Sequence, residues 1–200
     1  MNRAQKLQIA LVLALSVFTL ASDTAPDGLN PNIEQQFVAG GQIDLNLSAG
    51  GYVIRGTADN RISIELNPSQ APHVRAGIKI DGNRARIDVN GPEHNFQATI
   101  YVPQRTDLVI SQSVGDLRIQ AVEGNKNIDL NVGSLKVDVP KAADYGEVDA
   151  TVRIGSLKAP AWNAQRDGFF RSLQTHGQGK YSLNAHVGVG DMTLSEAERL

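Results

Sequence analysis

The chain has 200 residues and a formal net charge of −2 at pH 7. Without a basic excess it has nothing to grip a phosphate backbone, so nucleic-acid binding is excluded as a main function. It contains no cysteine, which excludes disulfide staples and a lipid anchor on an N-terminal cysteine and leaves stability to burial and backbone pairing.

Residues 1–22 read as a secretory signal peptide. Arg3 and Lys6 form a basic start, Leu7 to Ala21 is almost wholly apolar, and the small residues Ala21 and Ser22 suit cleavage. The apolar run falls short of the roughly 18 residues of a spanning helix. No stable transmembrane segment is therefore expected after cleavage, an uncleaved anchor being the alternative. An exported protein, periplasmic or at the cell surface, is expected. Residues 23–36 open with DTAPDGLNPN, rich in turn formers, and read as a flexible leader. A single all-β domain is expected over 37–194, with a short polar tail at 195–200 that has room for one helical turn.

Within that domain apolar residues alternate with polar ones almost continuously, the signature of strands with one buried face. Ile43, Leu45 and Leu47 lead to Ala49-Gly50-Gly51-Tyr52, and Ile62, Ile64 and Leu66 form the next strand. Ile78 and Ile80, the turn Asp81-Gly82-Asn83, then Ala85, Ile87 and Val89 predict a β-hairpin. Phe96, Ala98, Ile100 and Val102 form a further strand, ended by Pro103.

The second half repeats one device: an apolar residue, Gly, any residue, an apolar residue. It occurs at Val114-Gly115-Asp116-Leu117, Val132-Gly133-Ser134-Leu135, Ile154-Gly155-Ser156-Leu157 and Val189-Gly190-Asp191-Met192. Before Gly133, Ile128, Leu130 and Val132 share one phase; after it, Leu135, Val137 and Val139 share the other. A flat strand would send these two sets to opposite faces. A corner at the glycine restores their facing, so Val132 and Leu135, like Ile154 and Leu157, are expected to point into one thin aliphatic core. Gly50, Gly115, Gly133, Gly155 and Gly190 are thus structural corners; each leads into another strand, not into the helix a phosphate-binding loop requires. Gln112 breaks the stripe Leu108, Ile110, Val114. It is either paired inside or marks an open strand end.

The corner spacing suggests stacked coils. The expected fold is all-β, a right-handed β-solenoid or β-roll with hairpin decorations. The alternative is a two-sheet sandwich whose corners are bulges. Pro160 to Lys180 interrupts the repeat as an irregular insert, carrying Trp162, Phe169 and Phe170.

Candidate ligand-binding residues fall in two groups. Arg118, Lys136 and Lys158 hold the same place after three corners and would form a basic row on an outer face, suited to an acidic polysaccharide. Asp129, Asp138 and Asp149 dilute it, and a solvated face is the competing explanation. Trp162, Phe169 and Phe170 could stack on sugars or anchor a partner; alternatively they cap an open end of the stack. Asp116 and Asp191 beside corner glycines could serve calcium, but Asp and Ser also favour turns by themselves. His73, His94, His176 and His186 have no zinc-type spacing. No catalytic residue, metal or cofactor is expected.

The segments SVGDLRI, NVGSLKV, RIGSLKA and VGVGDMTL, with SAGGYVIRG and ATIYVPQRTDLVI, resemble a bacterial family of putative adhesins, a domain of otherwise unknown function. The resemblance spans roughly Phe37 to Leu194. It implies an all-β, solenoid-like domain of exported or envelope proteins and carries over no catalytic residues. The expected function is non-enzymatic: a repetitive β surface in the envelope that binds a glycan or an envelope protein. A structural periplasmic scaffold is the alternative. A polysaccharide-active enzyme ranks last, because Asp107, Asp116 and Asp129 lie near successive strand ends with nothing to join them.

Overall fold

A computed structural model describes residues 32–67, 69–92 and 95–197; residues 1–22, read above as a signal peptide, and His94 lie outside them. The strands are β1 (Asn32–Gln36), β2 (Gln42–Leu47), β3 (Gly51–Thr57), β4 (Arg61–Leu66), β5 (Arg75–Asp81) and β6 (Arg84–Asn90). They continue with β7 (Gln97–Pro103), β8 (Asp107–Gln120), β9 (Lys126–Val139), β10 (Tyr145–Ala159), β11 (Ala164–His176) and β12 (Tyr181–Glu196). All twelve belong to one mixed sheet, ordered β1-β4-β7-β3-β8-β9-β12-β10-β11, with β2, β6 and β5 branching from β8. Among the described residues the helical elements are three short 3₁₀ turns. The fold class is therefore all-β, as alternation predicts. β5 and β6 pair antiparallel with Asp81 opposite Arg84, which is the expected hairpin. β1, inside the stretch read as leader, pairs antiparallel with β4. β12 continues through Glu196, where the tail was expected to leave room for a helical turn.

The long strands β8, β9, β12 and β10 run parallel and in register through their glycines: Gly115 opposite Gly133, Gly133 opposite Gly190, Gly190 opposite Gly155. Each strand bends there, giving a first arm before the glycine and a second arm after it. Ile128 and Leu130 of the first arm and Leu135, Val137 and Val139 of the second are all buried in one core. The corner does restore the facing of the two stripes.

It does so differently from the expectation. Val132 is 44% exposed while Leu135 is 1% exposed, and Ile154 is 42% exposed while Leu157 is fully buried. Val114 and Val189 point outward in the same way. The inward set jumps five positions, from Leu130 to Leu135, and the apolar residue before each glycine stands on the convex side of the bend. At the inside of a corner the two arms converge, so a side chain directed inward from the vertex would meet the opposite arm. The four outward residues are register neighbours and form a lateral ladder of β-branched side chains, which suit extended backbone.

Two further expectations are corrected. Pro160 to Lys180 is no irregular insert: after a 3₁₀ turn at Pro160–Trp162 it forms β11, antiparallel to β10 from Ala159 opposite Ala164 to Glu147 opposite His176. Nor do the corners stack in chain order. β9 and β10 leave one strand position between them, and β12 fills it. The antiparallel β11 explains this. It carries the chain back to the level where β10 began, so Tyr181 starts β12 opposite Tyr145.

β2 and β3 follow the two arms of β8 at one register, with Leu47 opposite Gln112 and Tyr52 opposite Leu117. Across the corner the Gly50 amide donates to the Val114 carbonyl at 3.0 Å and the Gly50 carbonyl accepts from the Asp116 amide at 3.2 Å. The arms part beyond them, where β2 pairs with β6 and β3 with β7.

Candidate functional site

The outer face of the second arm carries the basic residues singled out above. Across the ladder the row reads Val53, Arg118, Lys136, Thr193, Lys158. Arg118 and Lys136 are therefore immediate neighbours on paired strands. Lys158 is not their neighbour, because the insertion of β12 places Thr193 between it and Lys136. The continuous basic row expected from spacing is a pair plus one separate lysine.

The pair stands in the wall of a groove of about 780 Å³, lined also by Val53, Glu65, Thr99 and Asp116. A second hollow of about 670 Å³ shares Arg118 and Lys136 and adds Arg55, Gln120, Asp138 and Glu196. Asp138 holds the pair from the next row. Its carboxylate lies 3.1 Å from Arg118 Nη2 and 3.9 Å from Lys136 Nζ, and it accepts a 2.5 Å hydrogen bond from Ser195 Oγ. Asp138 is mostly covered whereas Arg118 and Lys136 remain about half exposed. Guanidinium and ammonium groups carry five and three donors, so both keep donors for a ligand. Arg55 donates to Gln120 Oε1 at 3.2 Å, ordering the neighbouring row. On the far side the Tyr101 hydroxyl donates to Glu65 Oε2 at 2.9 Å, and that carboxylate raises the phenol pKa.

The row beside the corner is Asp116, Ser134, Asp191 and Ser156. Asp191 acts as a ladder group: its Oδ1 accepts from the Ser156 amide at 3.2 Å and from Ser156 Oγ at 2.5 Å. Among the described residues no group of three or more His, Cys, Asp or Glu could hold a metal ion. Asp107 is committed to Asn125, accepting from its backbone at 2.7 Å and its side-chain amide at 3.1 Å. Asp116 lies beyond the corner on the other arm, and Asp129 faces outward beside His186 on the first arm. The three acids form no cluster. His73 and His176 are exposed, on a 3₁₀ turn and at the end of β11.

The aromatic group is likewise divided. Trp162 is half-buried and packs edge-on against Tyr145 at 6.5 Å, and Tyr145 in turn meets Tyr181 at 5.7 Å. It covers the end of the core where β10 and β12 begin. Phe169 lies opposite Ile154 in the β10–β11 ladder. Phe170 is 77% exposed on the edge strand, with φ at +51°. Neither Trp162 nor Phe170 lines the groove of Arg118 and Lys136.

Sequence reasoning missed Lys126. It is 1% exposed; Nζ donates to the Val122 carbonyl at 2.9 Å, the Gly124 carbonyl at 3.0 Å and the Tyr145 hydroxyl. The ammonium also lies 4.8 Å from the Tyr145 ring centroid. Burial lowers its pKa to about 7, with Asp107 and Glu123 opposing. Burial also pushes the Tyr145 phenol up. The signal was present: Lys126 shares the inward phase of Ile128 and Leu130. The cage pins the return loop 121–125 to the start of β10.

No family model matches the chain, and no curated protein matches its sequence. Solved structures align with the chain at low similarity. A putative cell adhesion protein from Clostridium sporogenes ATCC 15579 aligns over 83% of this chain and 99% of its own, at TM-score 0.46 and 14% identity. A putative adhesin from Parabacteroides merdae ATCC 43184 aligns over 84% and 95%, at TM-score 0.24 and 8% identity. A putative lipid binding protein from Parabacteroides distasonis ATCC 8503 aligns over 81% and 61%, at TM-score 0.26 and 8% identity. Among the described residues no helix is long and apolar enough to cross a membrane.

Proposed function

We propose that this is an exported, non-enzymatic envelope protein that presents the outer face of its second arm to an extended acidic glycan. The observation that carries the reading is the juxtaposition of Arg118 and Lys136 on paired strands, in the wall of an open groove and backed by Asp138. A strand ladder repeats such positions about every 4.8 Å, a spacing suited to successive charges along a polymer. Export rests on residues 1–22, read as a signal peptide preceding the domain at 37–194. We further infer that the bent strands are turns of a right-handed β-solenoid. Parallel register through the corner glycines supports this, as does the right-handed rule for parallel crossovers.

The test is retention on immobilised polygalacturonate as salt is raised. The wild-type chain should be retained and should elute with increasing salt, as ion pairing is screened. The double variant Arg118→Ala/Lys136→Ala should pass through. Equal retention of both proteins would refute the proposed surface.

A further inference from the structure

The groove beside Arg118 and Lys136 has a far wall of opposite charge. One row of the ladder crosses it: Glu65 on β4, Thr99 on β7, Val53 on β3, Arg118 on β8 and Lys136 on β9. Each of these residues lies between two buried ones, such as Ile64 and Leu66 around Glu65 or Tyr52 and Ile54 around Val53. All five side chains therefore share the outward face of the sheet. The middle of the row is short. Val53 and Thr99 are small, and beside Val53 the next row has Gly51, with no side chain. Long side chains flank them, Glu65 on one side and Arg118 and Lys136 on the other. The groove is thus a dip in side-chain height on a continuous sheet, and a ligand lying in it meets both walls from solvent.

Glu65 is exposed, and among the described residues no Lys, Arg or His forms an ion pair with it. The Tyr101 hydroxyl donates to its Oε2 at 2.9 Å, which fixes the carboxylate in place without neutralising it. A carboxylate has several acceptor sites, so Glu65 keeps capacity for a donor from outside. Three strand spacings separate it from Arg118, about 14 Å along the row. A purely anionic polymer lying along the row would bring negative charge onto Glu65, and like charges repel. A chain that is negative at Arg118 and Lys136 and positive at Glu65 satisfies both walls. Between them Val53 and Thr99 offer an apolar patch and a hydroxyl, which suit the C–H face and the hydroxyls of intervening sugar rings.

The geometry points to a glycan in which uronate alternates with free amino sugar, its carboxylate on Arg118 and Lys136 and its ammonium on Glu65. This names the class of polymer for the surface described under the proposed function and rests on that reading. Asp116 also lines the groove, but it stands on the same strand as Arg118, two residues away on the same face, and does not form the far wall.

The experiment compares affinity for immobilised hyaluronan and for the same polymer after N-deacetylation, by frontal chromatography at a pH where the amines are protonated. The two share one carboxylate spacing. Deacetylation lowers the net negative charge, so a merely basic patch would hold the deacetylated polymer less. The wild-type chain should instead hold it about two- to fivefold more tightly, the worth of one exposed ion pair. Glu65→Gln should reverse that order and strengthen binding to hyaluronan. Thr99→Lys, which places a cation beside Glu65 without removing it, should also abolish the preference and serves if the glutamine variant folds poorly. Asp116→Asn should keep the wild-type order. Arg118→Ala/Lys136→Ala should lose both polymers. Equal or weaker wild-type binding to the deacetylated polymer would overturn the inference, as would an unchanged order in both Glu65→Gln and Thr99→Lys; either result leaves the acidic-glycan surface standing. Retention of both polymers by the double variant would instead bring down that surface, and this inference with it.

Discussion

Replacing Gly133 by alanine tests the ladder on which the fold depends. A Cβ built there would lie 1.8 Å from the Gly115 carbonyl oxygen and 2.7 Å from its carbon, with φ at +140°. The obstacle is backbone of the adjacent parallel strand, which no rotamer change can move. Either β8 and β9 separate at the corner, breaking register, or residue 133 leaves its conformation and the bend is lost. The backbone conformation costs about 1–3 kcal/mol for a residue with a side chain. Forcing the strands apart costs about 1–3 kcal/mol more, as in other overpacked sites. Against a total stability of about 5–15 kcal/mol, the sum removes a large fraction. Urea unfolding followed by far-ultraviolet circular dichroism should show a midpoint lowered by about 1 M or more, at a slope of about 2 kcal/mol per M. Gly77→Ala is the control: a Cβ there meets nothing within 4 Å, and its change should stay within about 0.5 kcal/mol. Equal midpoints for the two variants would refute the reasoning.

The outward turn of the residue before each glycine predicts that Val132→Ala costs under about 1 kcal/mol while Leu135→Ala costs about 2–5 kcal/mol, read from the same unfolding curves. Lys126 makes stability depend on pH. Its folded pKa of about 7 lies below the ordinary 10.5, so the unfolded chain binds the extra proton and stability falls as pH drops from about 10.5 to about 7. The gap sets an upper bound of about 5 kcal/mol, reduced by the carbonyls that favour the ammonium. Midpoints measured across that window should slope for wild type and flatten for Lys126→Met; parallel curves would rule the linkage out. Trp162→Ala should lower stability by about 1–3 kcal/mol through loss of its packing on Tyr145 while leaving retention on polygalacturonate intact.

Much of the architecture is legible from alternation alone. The hairpin around Gly82, the strand ended by Pro103 and the glycine corners all follow from local chemistry, because side-chain period and turn residues act over a few positions. The candidate surface is only partly legible. Arg118 and Lys136 meet because their strands are consecutive in both chain and sheet. Lys158 stands apart because a strand 20 and more residues later enters between. Gln112 was visible as a break in a stripe, yet its partners, the Gly50 and Val114 carbonyls, are brought to it by the neighbouring strand and the corner. Lys126 was visible as an inward phase, yet its cage is assembled from a return loop and the first residue of β10.

Strand identity, the bends at glycine and the aliphatic character of the core were thus determined by the order of residues alone, since each is set by neighbours a few positions away. Which strand lies beside which, that Pro160 to Lys180 would become the edge strand β11, and that Val132 and Ile154 would face outward were decided only in three dimensions. The reason is physical. A parallel ladder accepts any strand whose bend falls at the right level, and the antiparallel return of β11 delivers β12 to the one vacant position between β9 and β10.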